Sequence, residues 1–153
     1  MPQGVRVDDI VIHPRERDLV IGTHGRGIWI MDIAPLEQLS EKVLAADAYL
    51  FDVKPVTPHK LLKRDFPAMA GWKASNPPAG PVAAFLLNGP GPERVKFQWK
   101  SDAGETGSAD FAIPGPGLHW RPLGELKPGN YSLSLEARGV TVSQKFMVNA
   151  EEK

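Results

Sequence analysis

Two short apolar runs near the start of the chain restrict its fold more than any other feature. They are "LVIGT" at 19–23 and "GIWIM" at 27–31, and only His24, Gly25 and Arg26 separate them. A strand that is apolar at consecutive positions places apolar side chains on both faces of its sheet. The two runs therefore predict strands of a small sheet that needs a neighbour on each face.

The preceding segment, "VRVDDIVI" at 5–12, predicts a third strand with an irregularity. Its apolar residues alternate, but their parity shifts at Asp8 and Asp9, which is typical of a β-bulge or an irregular strand start. The segment "PLEQLSEKVLAA" at 35–46 has apolar residues at spacings that suit one or two short helical turns, with Ser40 as a candidate cap. Residues 1–46 thus form the first predicted domain.

Six strand-length segments separated by turn residues follow Pro81. The clearest is "RVKFQWK", in which Val95, Phe97 and Trp99 alternate with polar residues, as on a strand with one buried and one solvent-exposed face. The others are VAAFLL at 82–87, SADFAI at 108–113, GLHWRPL at 117–123, YSLSLEA at 131–137 and VTVSQKFMV at 140–148. Turns about every ten residues are typical of an immunoglobulin-like or fibronectin-like antiparallel β-sandwich, which we predict for residues 82–149. The predicted fold class is all-β.

Residues 47–81 connect the two predicted domains. This stretch is rich in proline, and from Lys54 onward it has no apolar periodicity, so we predict an ordered crossing linker with some mobile stretches. Its first part, "AYLFDV" at 48–53, is compatible with a short strand.

The composition narrows the classes of partner. Lysine plus arginine and aspartate plus glutamate number 18 each, so there is no net attraction to nucleic acid or to an anionic membrane surface. No apolar run approaches the roughly 18 residues of a membrane span, and the start of the chain has no apolar signal-peptide core. The absence of cysteine excludes disulfides and thiolate metal sites. We predict no nucleic-acid partner, no membrane insertion and no cofactor, and the composition assigns no compartment.

The order of the segments resembles the C-terminal part of a known family. The stretch "DDIVIHPRERDLVIGTHGRGIWIMD" at 8–32, followed by "LEQL", "LFDVKP", "NPPAGPVAAFLL" and the closing strands, is similar to the end of the bacterial BNR-repeat, sortilin-like β-propeller proteins, which are often labelled glycosyl hydrolases and are largely exported. The resemblance implies that residues 1–46 form a terminal, partial propeller blade and that an immunoglobulin-like domain follows a linker.

Two features differ from that family. A propeller ring needs several blades, whereas this sequence contains about one and no internal repeat elsewhere. Family blades often carry an Asp-box, Ser-x-Asp-x-Gly-x-x-Trp, but Asp32 is followed here by Ile33, Ala34 and Pro35. We therefore expect either a fragment of a larger propeller protein or a blade that uses a different partner.

The resemblance also implies a candidate binding surface. His24, Arg26 and Asp32 would contact a ligand at one end of a propeller, with Trp29 as a platform for a sugar ring. Separately from the resemblance, Trp72 in the linker is the aromatic residue to test for binding if one is exposed. The structural interpretation is simpler, because the glycines on either side of Arg26 permit the positive φ angles of a hairpin turn. We favour the turn.

No catalytic or metal-binding residue is assigned. Glycoside hydrolysis generally needs two carboxyl groups about 5–9.5 Å apart, and although Asp8, Asp9 and Asp32 are available, one open blade offers no pocket to hold a sugar between them. The four histidines show no ligand-spaced pair; they are His13, His24, His59 and His119.

The sequence favours a non-catalytic structural or interaction module. Because its first sheet needs covering, the predicted partners are other propeller blades or another protein chain. The alternative is a fragment or accessory domain of a BNR-repeat glycosidase or carbohydrate-binding protein, for which a glycan would be the ligand. A standalone protein in which the sandwich folds back over the blade is also compatible with the sequence.

Overall fold

Three antiparallel sheets and two short helices make up residues 4–58 and 78–150, the parts of the chain that the structure, a computed structural model, describes. The chain divides into two units, Met1–Leu44 and Ala45–Lys153, which are called unit 1 and unit 2 below. The all-β fold class predicted from the sequence is confirmed.

Unit 1 is built on a three-stranded antiparallel sheet in the order β1-β2-β3. Its elements are β1 (Val7–Ile12), β2 (Asp18–Thr23), β3 (Ile28–Asp32), α1 (Ala34–Glu37) and α2 (Glu41–Ala45). All three predicted strands are confirmed. The predicted irregularity is confirmed as well, since the register between β1 and β2 shifts between Val7 and Asp9.

Side-chain hydrogen bonds mark where the two helices begin, although the N-cap residue of α1 is Ile33, which makes no side-chain cap bond. The N–H of Ala34 donates to Oδ1 of Asp32 at 3.0 Å, and the N–H of Val43 donates to Oγ of Ser40 at 3.3 Å. Both bonds satisfy donors that a first helical turn leaves without an intrahelical partner. The cap predicted at Ser40 is thereby confirmed. Pro35 lies in the first turn of α1, where its missing N–H costs no hydrogen bond.

The described residues of unit 2 form seven strands in two antiparallel sheets. They are β4 (Ala48–Leu50), β5 (Val82–Leu87), β6 (Glu93–Ser101), β7 (Thr106–Ile113), β8 (Gly117–Pro122), β9 (Gly129–Ala137) and β10 (Val140–Val148). One sheet has the order β4-β5-β8 and the other the order β10-β9-β6-β7. The six strands predicted after Pro81 are all present.

The core of unit 2 lies between its two sheets. Phe85 of β5 and Phe97 of β6 are fully buried, and their rings meet edge to face with centroids 5.4 Å apart. The ring of Phe111 of β7 also contacts Phe97 edge to face, with centroids 5.9 Å apart. Trp99 is half-buried and packs against this core, as its parity on the strand predicted. The alternation of buried and exposed residues along β6 and β9 therefore confirms the predicted antiparallel β-sandwich.

A tyrosine near the start of β9 fixes the turn that precedes the strand. The hydroxyl of Tyr131 donates to the carbonyl oxygen of Lys127 at 2.9 Å, and its buried ring stacks on Phe146 with centroids 5.2 Å apart. A tyrosine whose hydroxyl bonds to the backbone a few residues upstream is typical of immunoglobulin-like sandwiches. This bond ties β9 to the loop that enters it.

The sandwich begins earlier along the chain than the sequence analysis placed it. β4 pairs with β5, Phe51 and Val53 are buried, and Val56 forms a parallel bridge with Val148. Residues 48–56 of the predicted linker therefore belong to unit 2. A three-residue strand that is largely buried has too short a pattern to stand out among prolines, although "AYLFDV" was compatible with one. Residues 59–77 of the predicted linker lie outside the described residues.

Candidate functional site

The motif at residues 24–27 is a hairpin turn. Gly25 and Gly27 have φ angles of 73° and 79°, a region that favours glycine because it has no Cβ. The N–H and Oγ1 of Thr23 both donate to the carbonyl oxygen of Gly27, at 3.2 and 2.6 Å. The indole N–H of Trp29 donates to the carbonyl oxygen of Arg26 at 3.1 Å. Trp29 therefore braces the turn, and the structural interpretation of this motif is supported.

The residues proposed for a ligand site do not form one cluster. His24 and Arg26 lie in the turn, whereas Asp32 pairs with Asp18 at the opposite end of the sheet. Since a strand rises about 3.3 Å per residue, Asp32 lies roughly 13 Å along β3 from its first residue. Asp32 accepts a hydrogen bond from the N–H of Ala34. Trp72 lies outside the described residues.

The structure instead joins His24 to an aspartate that sequence analysis did not pair with it. Asp8 stands in the bulge of β1, where one carboxylate oxygen lies 2.8 Å from Nε of Arg6 and the other 3.3 Å from Nδ1 of His24. All three side chains are exposed, so the ion pairs contribute little free energy. The parity shift at Asp8 was the available signal, because a bulge redirects the side chain of its extra residue.

The register of the sheet sorts its apolar side chains onto two faces. The Trp29 face carries Ile10, Ile12, Leu19, Ile21, Trp29 and Met31, and the Ile30 face carries Val11, Val20, Ile28 and Ile30. Adjacent residues of one strand point to opposite faces, so both sides of this single layer are apolar.

Both faces are exposed. On the Ile30 face, the exposed fractions are 72% for Ile28, 67% for Ile30 and 53% for Val11. On the Trp29 face, Ile10 is 58% exposed, and Ile12 and Met31 are also exposed. Covering these six side chains would contribute roughly 5–10 kcal/mol at about 1.5–3 kcal/mol per fully buried side chain, before the cost of association. Single exposed apolar residues are ordinary, whereas contiguous apolar patches are candidates for an interaction surface.

The outer face of unit 2 differs sharply from these surfaces. A shallow depression of about 700 Å³ on the sheet of β6, β7, β9 and β10 is lined by hydroxyl, amide and amine side chains, including Ser132, Ser134, Gln98 and Lys100. Its lining contains no carboxylate and no histidine. This is the polar face expected of a sandwich strand that alternates between core and solvent.

Among the described residues, no three histidine, aspartate or glutamate side chains are grouped so that they could hold a metal ion. None of the helices in residues 4–58 and 78–150 is long and apolar enough to cross a membrane.

Comparison with protein-family models gives no match, and comparison with curated proteins gives none either. The two apolar faces of unit 1 are therefore the candidate functional site.

Proposed function

We propose that this chain is a non-catalytic assembly module whose β1–β3 sheet lies between two further antiparallel sheets, as a blade lies in a β-propeller. On this proposal, the sheet is the terminal blade of a sortilin-like propeller protein, and the sandwich of unit 2 follows it. The observation that carries the proposal is the exposure of large apolar side chains on both faces of one sheet.

The equal character of the two faces favours two neighbours over one. Ile10 and Val11 are adjacent in β1 and point to opposite faces, yet their exposed fractions are 58% and 53%. A dimer formed through one face would leave the other face in water. A sheet placed between two others, each about 10 Å away, covers both faces at once.

The chemistry of the described residues favours assembly over hydrolysis. Asp8 is held by Arg6 and His24 at an exposed position, and Asp32 accepts a hydrogen bond from the N–H of Ala34 at the far end of the sheet. A glycosidase would need its carboxyl groups to face each other across a bound sugar. These carboxyl groups have structural contacts instead.

Cysteine reporters on the two faces test the proposal in the native assembly. The sequence contains no cysteine, so Ile10→Cys and Val11→Cys each introduce a single thiol, one on each face. Ser132→Cys, at an exposed position on the polar outer face of β9, is the matched control. Each full-length variant is labelled with a bulky maleimide, once as the purified chain and once in a gentle lysate of the source cells.

We expect all three thiols to react in the purified chain. In the lysate, both face thiols should be protected while the control still reacts. Rapid labelling at either Ile10→Cys or Val11→Cys in the lysate would contradict two-sided burial. Labelling of both would show that this sheet works uncovered, and the proposal would fail.

A further inference from the structure

The two edges of the β1–β3 sheet are not equivalent. Both β1 and β3 are edge strands, because the order of the sheet is β1-β2-β3. An edge strand presents unpaired N–H and C=O groups, and natural proteins usually block such an edge with charges, bulges or proline. The hydrogen bonds of the sheet show which of the two edges is blocked.

The edge of β1 is blocked. The N–H of His13 donates to Asp18 and its C=O accepts from Arg17, so the backbone groups of His13 face β2. Because the direction alternates along an antiparallel strand, the N–H of Ile10 faces away from β2. That N–H already donates to Oδ1 of Asp9 at 2.8 Å. The bulge and the carboxylates of β1 add to this protection.

Over residues 28–31, before Asp32, the edge of β3 has none of these features. The C=O of Gly27 accepts from β2, and the N–H of Ile33 donates to Arg17. The same alternation therefore directs the N–H and C=O groups of Ile28 and Ile30 away from β2. These two residues also have the most exposed side chains among the large apolar residues described. Residues 28–31 contain no proline, no charged residue and no bulge.

We propose that the outward backbone groups of Ile28 and Ile30 form an acceptor edge that a strand of a partner protein extends. The inference rests on the proposed function, because a strand added to a sheet that is covered on both faces must itself be apolar on both. The occupant is therefore an extended segment of four or five β-branched or aliphatic residues. Its affinity would come from main-chain hydrogen bonds and its specificity from alternate side chains.

A peptide and a matched pair of variants test the edge. The probe is a capped, lysine-flanked peptide of six valine and threonine residues, which is titrated into the full chain labelled with ¹⁵N. Ile30→Pro removes the outward N–H at a position where an edge strand tolerates proline, so the bonds to β2 persist. Ile30→Ala removes nearly the same side chain but keeps the N–H.

The saturating peptide should slow amide hydrogen exchange at Ile28 and Ile30 by roughly tenfold or more and leave Ile10 unchanged. Ile30→Pro should abolish the protection of Ile28, and Ile30→Ala should retain it. Lack of protection, equal protection at Ile10, or loss of protection in both variants would overturn the acceptor edge. Concentration-dependent protection without peptide would also overturn it, because a second copy would then occupy the edge. The cysteine reporters on the faces are independent of all these results, so the edge can fail while the proposed function stands.

Discussion

Removing one hydroxyl from the core of unit 2 tests whether the hydrogen bond from Tyr131 to the carbonyl of Lys127 stabilises the sandwich. Tyr131 is 3% exposed and donates to the carbonyl oxygen of Lys127 at 2.9 Å. The substitution Tyr131→Phe keeps the ring that stacks on Phe146 and leaves that carbonyl without its side-chain donor. A lost hydrogen bond that leaves a partly buried partner costs about 1–2 kcal/mol. In a domain of roughly 100 residues each kcal/mol lowers the midpoint of thermal unfolding by roughly 4–8 °C, so that midpoint should fall by roughly 4–16 °C.

Urea unfolding of the full chain measures this loss, with tryptophan fluorescence as the signal. The matched control is Tyr49→Phe, because the sequence contains two tyrosines and Tyr49 is half-buried without a hydroxyl hydrogen bond to any described residue. We expect the urea midpoint to fall in Tyr131→Phe with an unchanged slope, and the free energy of unfolding of the control to stay within about 0.5 kcal/mol of that of the parent chain. Equal effects of the two substitutions would refute the reasoning, since the hydrogen bond from Tyr131 to Lys127 would then contribute nothing to the free energy of unfolding.

Two further predictions concern unit 2. In Gly107→Ala, the new Cβ would lie 2.5 Å from the indole of Trp99. We therefore expect the indole to move and the free energy of unfolding to fall by about 1–3 kcal/mol. An unchanged Trp99 emission spectrum would contradict this expectation. Glu105 raises the pKa of Lys127 through a hydrogen bond and its charge. Glu105→Gln should therefore lower that pKa toward its ordinary value, as measured by an NMR titration of the lysine side chain. A lysine whose pKa is raised on folding stabilises the fold at lower pH, and this contribution is lost as pH rises through that pKa. Any difference in stability between the variant and the parent chain should therefore shrink at high pH. An unchanged pKa of Lys127 in the variant would refute the pairing.

Local patterns in the sequence were sufficient to predict most of the strands. Strict alternation identified β6 and β9 because one face of each packs on the core and the other meets solvent. The parity shift at Asp8 identified the bulge in β1, and Ser40 identified the start of α2. Each of these signals lies within a few residues of the feature that it produces.

Features that depend on distant residues could not be predicted in the same way. The pairing of Asp8 with His24 requires the register between β1 and β2. The strand β4 is defined by its pairing with β5 rather than by its own three-residue pattern. From Ala48 to Val82, the starts of the two strands are 34 residues apart. The difference between the two edges of the first sheet also depends on which N–H groups face outward, and only the hydrogen-bond pattern reveals that.

Amide hydrogen exchange on the purified, monomeric chain tests most directly the claim that the β1–β3 sheet is covered on both faces in its assembly. A sheet that neighbours stabilise should open easily when it is alone. We predict that the amides of Val20 and Ile21 in β2 exchange at least roughly 100-fold faster, relative to their unfolded rates, than those of Phe97 and Leu135 in the sandwich core. Equal protection of β2 and the core in a monomer would contradict the account, since the first sheet would then need no neighbours.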